Sequence, residues 1–306
     1  MENKQPIRLE SISEFHSSRG LPLPEHPLIS VIDFGKVSRS VNIGENSWVF
    51  GFYQISLKKG IDFNMKYGQQ KYDFESGVMG FIAPNQVFKI DHEANPAQKR
   101  SGWMLLVHPD FLWNTTLAKT IKEYEYFGYS INEALFLSAK EEKTVNGIIE
   151  NIRQEYQANI DKFSKQIIIS QIETLLGYSE RFYNRQFITR EKSNHQILKN
   201  LEGLLNNHFQ NDSLILKGLP TVHDIAGQLN ISQKYLSTLL KVLTGQSTQQ
   251  HIHNKLIEKA KEKLSTTNLS ISEIAYDLGF EHSQSFSKLF KSKTSQSPLK
   301  FRSGFN

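Results

Sequence analysis

Apolar residues recur with two different periods along this chain, and the change of period divides it. Between Ile29 and about Val107 they come in short runs closed by turn residues. Val49-Phe-Gly-Phe-Tyr-Gln-Ile-Ser-Leu57 ends in Lys58-Lys-Gly60, and Gly77-Val-Met-Gly-Phe-Ile-Ala83 ends in Pro84-Asn-Gln86. Phe88-Lys-Ile90 and Gly102-Trp-Met-Leu-Leu-Val107 are two more. Branched and aromatic runs bounded by turns predict strands, and several in succession predict a sandwich or small barrel. Residues 1–30, with several prolines and charges, read as an irregular lead-in, and His108 to Lys122 predicts a short helix. From Ser138 onward the spacing is helical. Val145, Ile148, Ile149, Ile152 and Tyr156 share one face. After a break near residues 159–161, Phe163, Ile167, Ile168, Ile172, Leu175, Leu176 and Phe182 share a second. This helical pair packs either on the barrel or on a second subunit. The polar stretch Thr189-Arg-Glu-Lys-Ser-Asn194 reads as a linker, and Leu198, Leu201, Leu204 and Leu205 open the next helix.

Near the C-terminus one pattern occurs twice. Ser270 or Ser272 is suited to cap a helix, since its hydroxyl accepts from the unpaired first-turn amides. Ile274, Ala275 and Leu278 then fall on one face. Gly279 stands where that helix must stop, because glycine enters the left-handed conformation without a Cβ penalty. After Phe280, a second helix from about His282–Ser285 buries Phe286, Leu289 and Phe290 and leaves a polar face outside. Upstream, Ile225, Ala226, Leu229 and Ile231 answer to Ile274, Ala275, Leu278 and Phe280 at an offset of 49. Leu236, Leu239, Leu240 and Lys241 answer to Phe286, Leu289, Phe290 and Lys291 at an offset of 50, so the second turn is one residue longer. A short helix, a tight turn and a helix with a hydrogen-bonding outer face form a helix-turn-helix, whose second helix suits a DNA major groove. Between the two copies, Thr248 to Leu264 has no Gly or Pro and places Ile252, Leu256, Ala260 and Leu264 at four-residue steps. Such a helix spans roughly 25 Å, which sets two recognition helices about one DNA turn, roughly 34 Å, apart.

Charge follows the same division. The net charge is +5, and residues 195–306 hold 13 Lys/Arg against 8 Asp/Glu, so all of the excess lies there. Local positive charge favours phosphate contact through counterion release. Length (306 residues) and a 38% hydrophobic fraction allow two folded domains. There is no cysteine, which removes disulfides, thiolate metal sites and cysteine nucleophiles. The polar start Met1-Glu-Asn-Lys-Gln-Pro6 has no apolar signal core, and no apolar run reaches the ~20 residues of a membrane span. The expectation is a cytoplasmic, nucleoid-associated protein without membrane contact.

Residues 195 to 302 resemble the DNA-binding domain of the AraC/XylS family of bacterial transcription regulators. The resemblance rests on Asp224-Ile-Ala226, Ser232-Gln-Lys-Tyr-Leu236, Leu243-Thr-Gly245-Gln-Ser247 and Ala260-Lys-Glu-Lys-Leu264. It extends through Glu273-Ile-Ala275, Leu278-Gly-Phe280, Ser285-Phe-Ser-Lys-Leu-Phe-Lys291 and Pro298-Leu-Lys-Phe-Arg302. Two positions depart from the family pattern: Ser295 stands where a glycine is frequent, and Leu256 where an arginine is usual. The resemblance implies an α+β chain with an N-terminal cupin-like β-barrel and helical pair. An all-α C-terminal domain with two helix-turn-helix units joined by a linker helix follows. The corresponding boundaries are 1–137 for a regulatory domain, 138–188 for a helical pair able to dimerise, 189–197 for the linker and 198–306 for DNA binding. It also implies double-stranded DNA, RNA polymerase, a small-molecule effector and a second copy of the chain as partners, with activation commoner than repression.

On the recognition helices, Gln233, Lys234, Ser237, Thr238 and Lys241 project in the first unit, and Ser283, Gln284, Ser287, Lys288 and Lys291 in the second. Glutamine pairs bidentately with adenine, lysine reaches guanine or phosphate, and Ser or Thr is permissive. Lys241, Lys255 and Lys291 suit phosphate. No catalytic or cofactor motif is legible. His16, His26, His92 and His108 lack metal-ligand spacing, and His251 and His253 point apart on a helix, so no metal is expected. Tyr53, Tyr67, Tyr72, Phe74 and Trp103 either line a ligand cavity or form core. Two other readings are an enzymatic or ligand-binding cupin whose helical tail is an interaction module, and an architectural DNA binder without sequence preference.

Overall fold

The computed structural model describes residues 6–37, 47–60, 77–89, 100–129, 133–158, 161–189, 191–210 and 218–304. Tyr67, Tyr72, Phe74, Ile90 and His92 lie outside the described residues. The chain divides into two compact units, Met1–Gln186 and Phe187–Asn306.

The first unit carries β1 (Ile7–Leu9), α1 (Ile12–Ser18), β2 (Ile29–Asp33), β3 (Ser47–Phe50), β4 (Tyr53–Lys59), β5 (Val78–Ile82), β6 (Val87–Lys89) and β7 (Ser101–Val107). A short α2 (Leu117–Thr120), β8 (Leu135–Phe136) and the helices α3 (Ala139–Gln157) and α4 (Ser164–Thr189) follow. The strands form a three-stranded sheet, β1-β3-β6, and a five-stranded sheet, β2-β7-β4-β5-β8. Among the described residues the two sheets do not join into a closed barrel. The architecture is α+β, with sheets in the first unit and an all-helical second unit.

Register decides what each face of the larger sheet does. Gln54 pairs with Leu106 and Ile82, Ser56 with Met104 and Gly80, and Lys58 with Gly102 and Val78. Met104, Leu106 and Ile82 share one buried cluster with Leu9, Trp48 and Phe50 of the smaller sheet. Side chains alternate along a strand, so Gln54, Ser56 and Lys58 form a polar row turned toward the core between the sheets. The opposite face, with Leu57 and Trp103, packs under α3 and α4. There Trp103 Nε1 donates to Asn146 Oδ1 at 2.8 Å, and Val31 N donates to the Tyr156 hydroxyl at 3.2 Å. Tyr53 packs edge-on to Phe127 at 5.3 Å. Tyr53 and Trp103 are thus core residues beneath the helices, the core alternative of the two readings left open for them. Gly102 crosses β4 so closely, at φ +118°, that a Cβ would lie 2.0 Å from the Leu57 carbonyl oxygen.

The α3 stripe is buried as its spacing predicts: Val145, Ile148, Ile149, Ile152 and Tyr156. The second stripe differs. Ile168, Ile169, Ile172, Leu175, Leu176 and Phe182 are buried, whereas Phe163 (58% exposed) and Ile167 (43% exposed) face outward. Phe163 precedes the first turn of α4, so it is not held to the helical face, and Ile169 takes a place in the buried stripe instead.

The second unit begins with α5 (Glu191–Gln210); the segment read as a linker is therefore largely helical, with α4 ending at Thr189 and α5 starting at Glu191. Then come α6 (Val222–Gln228), α7 (Gln233–Thr244), α8 (Thr248–Thr266), α9 (Ile271–Asp277), α10 (Ser283–Thr294) and α11 (Pro298–Arg302). One core joins Leu201, Leu205 and Phe209 of α5 to Ile225, Leu236, Leu240, Leu256, Ile274, Phe286 and Phe290. Among the described residues no helix is long and apolar enough to cross a membrane.

Candidate nucleic-acid interface

Both helix-turn-helix units are built by the same local chemistry. Each first helix opens with a capping box: Thr221 with Asp224 on α6, and Ser270 with Glu273 on α9. Hydrogen bonds from the Thr221 hydroxyl and amide hold the Asp224 carboxyl below its usual range, and the Ser270 amide and hydroxyl do the same for Glu273. Each first helix closes in a Schellman turn. Ile231 N donates to Ala226 O and Asn230 N to Gly227 O in the first unit, at 3.0 and 3.1 Å. Phe280 N donates to Ala275 O and Gly279 N to Tyr276 O in the second, at 3.0 and 2.9 Å. The left-handed residue is Asn230 (φ 55°) in one copy and Gly279 (φ 80°) in the other.

The second helices, α7 and α10, are both 12 residues long. Ser232 caps α7 by accepting from Tyr235 N, whereas His282 at the start of α10 makes no side-chain cap. Glu281 is the extra residue in the longer turn. Each helix ends on a left-handed residue, Gly245 (φ 72°) and Ser295 (φ 62°). Buried faces are Tyr235, Leu236, Leu239 and Leu240 in α7, and Phe286 and Phe290 in α10.

These buried faces fix which side chains point away. Gln233, Lys234, Lys241, Gln284, Lys288 and Lys291 are exposed, while Ser237, Thr238, Ser283 and Ser287 are half-buried. Three of the ten are engaged within the unit. Gln233 Nε2 lies 3.0 Å from His223 Nδ1, Ser237 Oγ lies 3.3 Å from Thr248 Oγ1, and Thr238 Oγ1 donates to Lys234 O at 2.9 Å. Among the described residues no carboxylate lies within ion-pair distance of Lys234, Lys241, Lys288 or Lys291. The acids of the connecting helix are instead taken by its own lysines, in Lys255–Glu258 (3.1 Å) and Lys259–Glu262 (2.8 Å). Lys263 reaches Asp277 of α9 at 2.8 Å. The cations of the two outward faces are thereby left available for phosphate.

Several side chains that the spacing did not single out complete this surface. Tyr276 on α9 is 57% exposed, and Lys293 stands at the end of α10 beside His253. Burial, with Lys293 nearby, lowers the His253 pKa, and burial lowers that of His251. Arg302 Nε donates to Leu264 O at 3.3 Å, so α11 fastens the end of α8.

A family profile described as "Helix-turn-helix domain" matches residues 225–304. The raffinose operon transcriptional regulatory protein RafR of Pediococcus pentosaceus is 39% identical over 82 residues, which is 27% of this chain and 30% of that protein. The HTH-type transcriptional regulator YfiF of Bacillus subtilis is 33% identical over 144 residues, 47% of this chain and 42% of that protein. Among solved structures, the C-terminal domain of the response regulator AraT from Geobacillus stearothermophilus is 30% identical, covering 35% of this chain and 84% of that one, at a TM-score of 0.31.

The C-terminal unit is an AraC/XylS-type helix-turn-helix domain. The chain spans less than half the length of the two curated relatives named above. The two departures from the AraC/XylS pattern now have places. Leu256 is completely buried in the domain core and cannot meet a phosphate, and neighbouring Lys255 pairs with Glu258. Ser295 takes the same left-handed helix end as Gly245, at the strain a Cβ brings there.

Proposed function

We propose that this chain is a sequence-specific DNA-binding transcription regulator. One observation carries the reading: two capped helix-turn-helix units, each turning an exposed polar and cationic face outward from one shared core. In this reading α7 and α10 enter successive major grooves. Gln233, Lys234, Ser237 and Thr238 meet the first site, and Ser283, Gln284, Ser287 and Lys288 the second, while Lys241 and Lys291 bind phosphate. α10 reads bases more sharply, because Thr238 and Ser237 of α7 are already engaged internally.

The N-terminal unit serves as a cupin-like regulatory domain that answers to a small ligand, supported by two sheets sharing one interior. Self-association is supported by the outward apolar side chains Phe163 and Ile167 at the start of α4. Its curated relatives are regulators rather than enzymes, and RNA polymerase is the remaining partner of this reading, in the cytoplasm.

Purified full-length protein retains source-genome fragments at two salt concentrations, and the retained fragments share two sequence blocks one helical turn apart. Equal retention of scrambled DNA would establish the architectural reading instead. No retention at low salt would remove the DNA-binding function altogether.

A further inference from the structure

In the first helix-turn-helix unit, a side chain of the recognition helix is held by a histidine from the helix before it. Gln233 Nε2 stands 3.0 Å from His223 Nδ1, across the turn between α6 and α7. Both residues sit in the first turn of a capped helix. Thr221 and Asp224 close the capping box that fixes the start of α6, and Ser232 Oγ accepts from Tyr235 N at 3.1 Å to fix the start of α7. Both side chains are exposed, so neither is needed to fill the core, and the backbone of two fixed turns sets the distance between them.

A hydrogen bond needs one donor and one acceptor. The amide nitrogen of glutamine only donates, so His223 Nδ1 accepts, which requires a neutral imidazole with its hydrogen on Nε2. The Gln233 nitrogen carries a second hydrogen, and Oε1 beside it remains an acceptor. That donor and acceptor match the N7 and N6 groups on the major-groove edge of adenine. In a protonated imidazole both ring nitrogens donate. Nδ1 then no longer accepts, and the amide turns its oxygen toward His223. With Oε1 spent there, the adenine pair is lost.

We propose that His223 is a positioning residue for base reading: its neutral ring presets the Gln233 amide for adenine, and protonation of the ring reverses that amide. The proposal deepens the DNA-binding reading and rests on it. The pair belongs to the first unit, since Ser272 and Ser283 hold the corresponding places in the second. Three ionisable groups stand around it. Asp224, on the same helix, has its carboxyl held low by Thr221 first and then by His223 and His208. His208 of α5 donates to or accepts from no base reader; its Nε2 lies 3.0 Å from Gly218 O. Lys234, exposed, follows Gln233 on α7.

The test is competition binding by the full chain at about pH 8 and about pH 5.5, a range across which histidine changes charge, with single-base variants of its selected site. The position whose preference Gln233→Ala removes is the reporter, and the position that responds to Gln284→Ala is the control. The parent prefers adenine at the reporter roughly three- to tenfold more strongly at the higher pH, the worth of one hydrogen bond. His223→Ala shows the weaker preference at both. His223→Asn, whose amide oxygen accepts at either pH, keeps the stronger preference at both, a rescue that a merely structural role for the ring would not give. It also removes one titration and leaves that of His208 in place. No adenine preference at the reporter, an unchanged ratio in His223→Ala at the higher pH, a parent-like pH response in His223→Asn, or an equal response at the control position would each overturn the proposal. In all of these the site is still bound specifically and the regulator reading stands. Absence of any sequence-specific binding at the higher pH removes that reading, and this proposal with it.

Discussion

Gln284 shows how much one side chain can decide. It stands in the first turn of α10, exposed, on the face opposite Phe286 and Phe290. An amide in that place can pair with both edge groups of adenine, and a good bidentate pair discriminates by about 1–3 kcal/mol. α7 places its glutamine one position earlier, at Gln233, where the amide already lies against His223. The first-turn glutamines of the two helices thus differ by one position and start from two different states. Gln284→Ala lowers preference at one base position by ~1–3 kcal/mol with little loss on scrambled DNA. Competition binding with single-base variants of the selected site measures it; an unchanged ratio between cognate and variant sites removes Gln284 from base reading.

At the scale of elements, caps and turns bound the helices of the repeated motif, with α10 starting at His282 without a side-chain cap. The Glu273 carboxyl has a lowered pKa because it accepts from the Ser270 amide and hydroxyl. A folded-state pKa below the unfolded value means that the stabilisation is present above the ordinary carboxylate range and is lost as pH falls through the folded pKa. Glu273→Gln keeps a side chain able to complete the capping box and has no proton to take up. In denaturant titrations the variant therefore loses less stability than the parent as pH is lowered through this window. Equal acid sensitivity would show that the box contributes nothing to it. These elements were legible because helix signals are local. The capping pairs, the turn residues Asn230 and Gly279 and the stripes of α3 and α8 all lie within a few positions of one another. The N-terminal unit was less legible. Whether Trp103 faces ligand or helix depends on strand register, set by β7 pairing with β4 some 45 positions away. Even the all-local stripe of α4 was misread at its start, where Phe163 stands outside the helix. Gln233, Lys234 and the other outward residues follow from the buried spacing alone, but their internal hydrogen bonds to His223 and Thr248 come from neighbouring elements and leave no trace in spacing.

Across the whole molecule, charge is divided as the two units are. The first 194 residues are balanced, and the net +5 belongs to the remainder. Within that remainder, the acids of α8 and Asp277 of α9 are tied to Lys255, Lys259 and Lys263, while Lys241 and Lys291 keep exposed heads near the ends of the recognition helices. Binding that releases counterions weakens with salt, with a slope set by the number of neutralised phosphates. Lys241→Gln or Lys291→Gln weakens binding to all sequences about equally and reduces that slope by about one unit. Titrations at four or more salt concentrations measure it, and an unaltered slope places the lysine off the phosphate backbone.

The two copies of the motif also keep a joint record of strain. Each copy has two left-handed positions, one inside the turn and one at the end of its second helix. The first copy has Asn230 and Gly245, and the second has Gly279 and Ser295. A Cβ in that conformation costs roughly 1–2 kcal/mol, less for asparagine, whose side chain can bond locally. Each copy therefore bears one such cost, at opposite places. If the halves arose by duplication, they diverged without concentrating both penalties in one of them. A chain recombined to join Asn230 with Ser295 in a single copy would carry both in one small unit, and the reciprocal copy, glycine at each place, would carry neither.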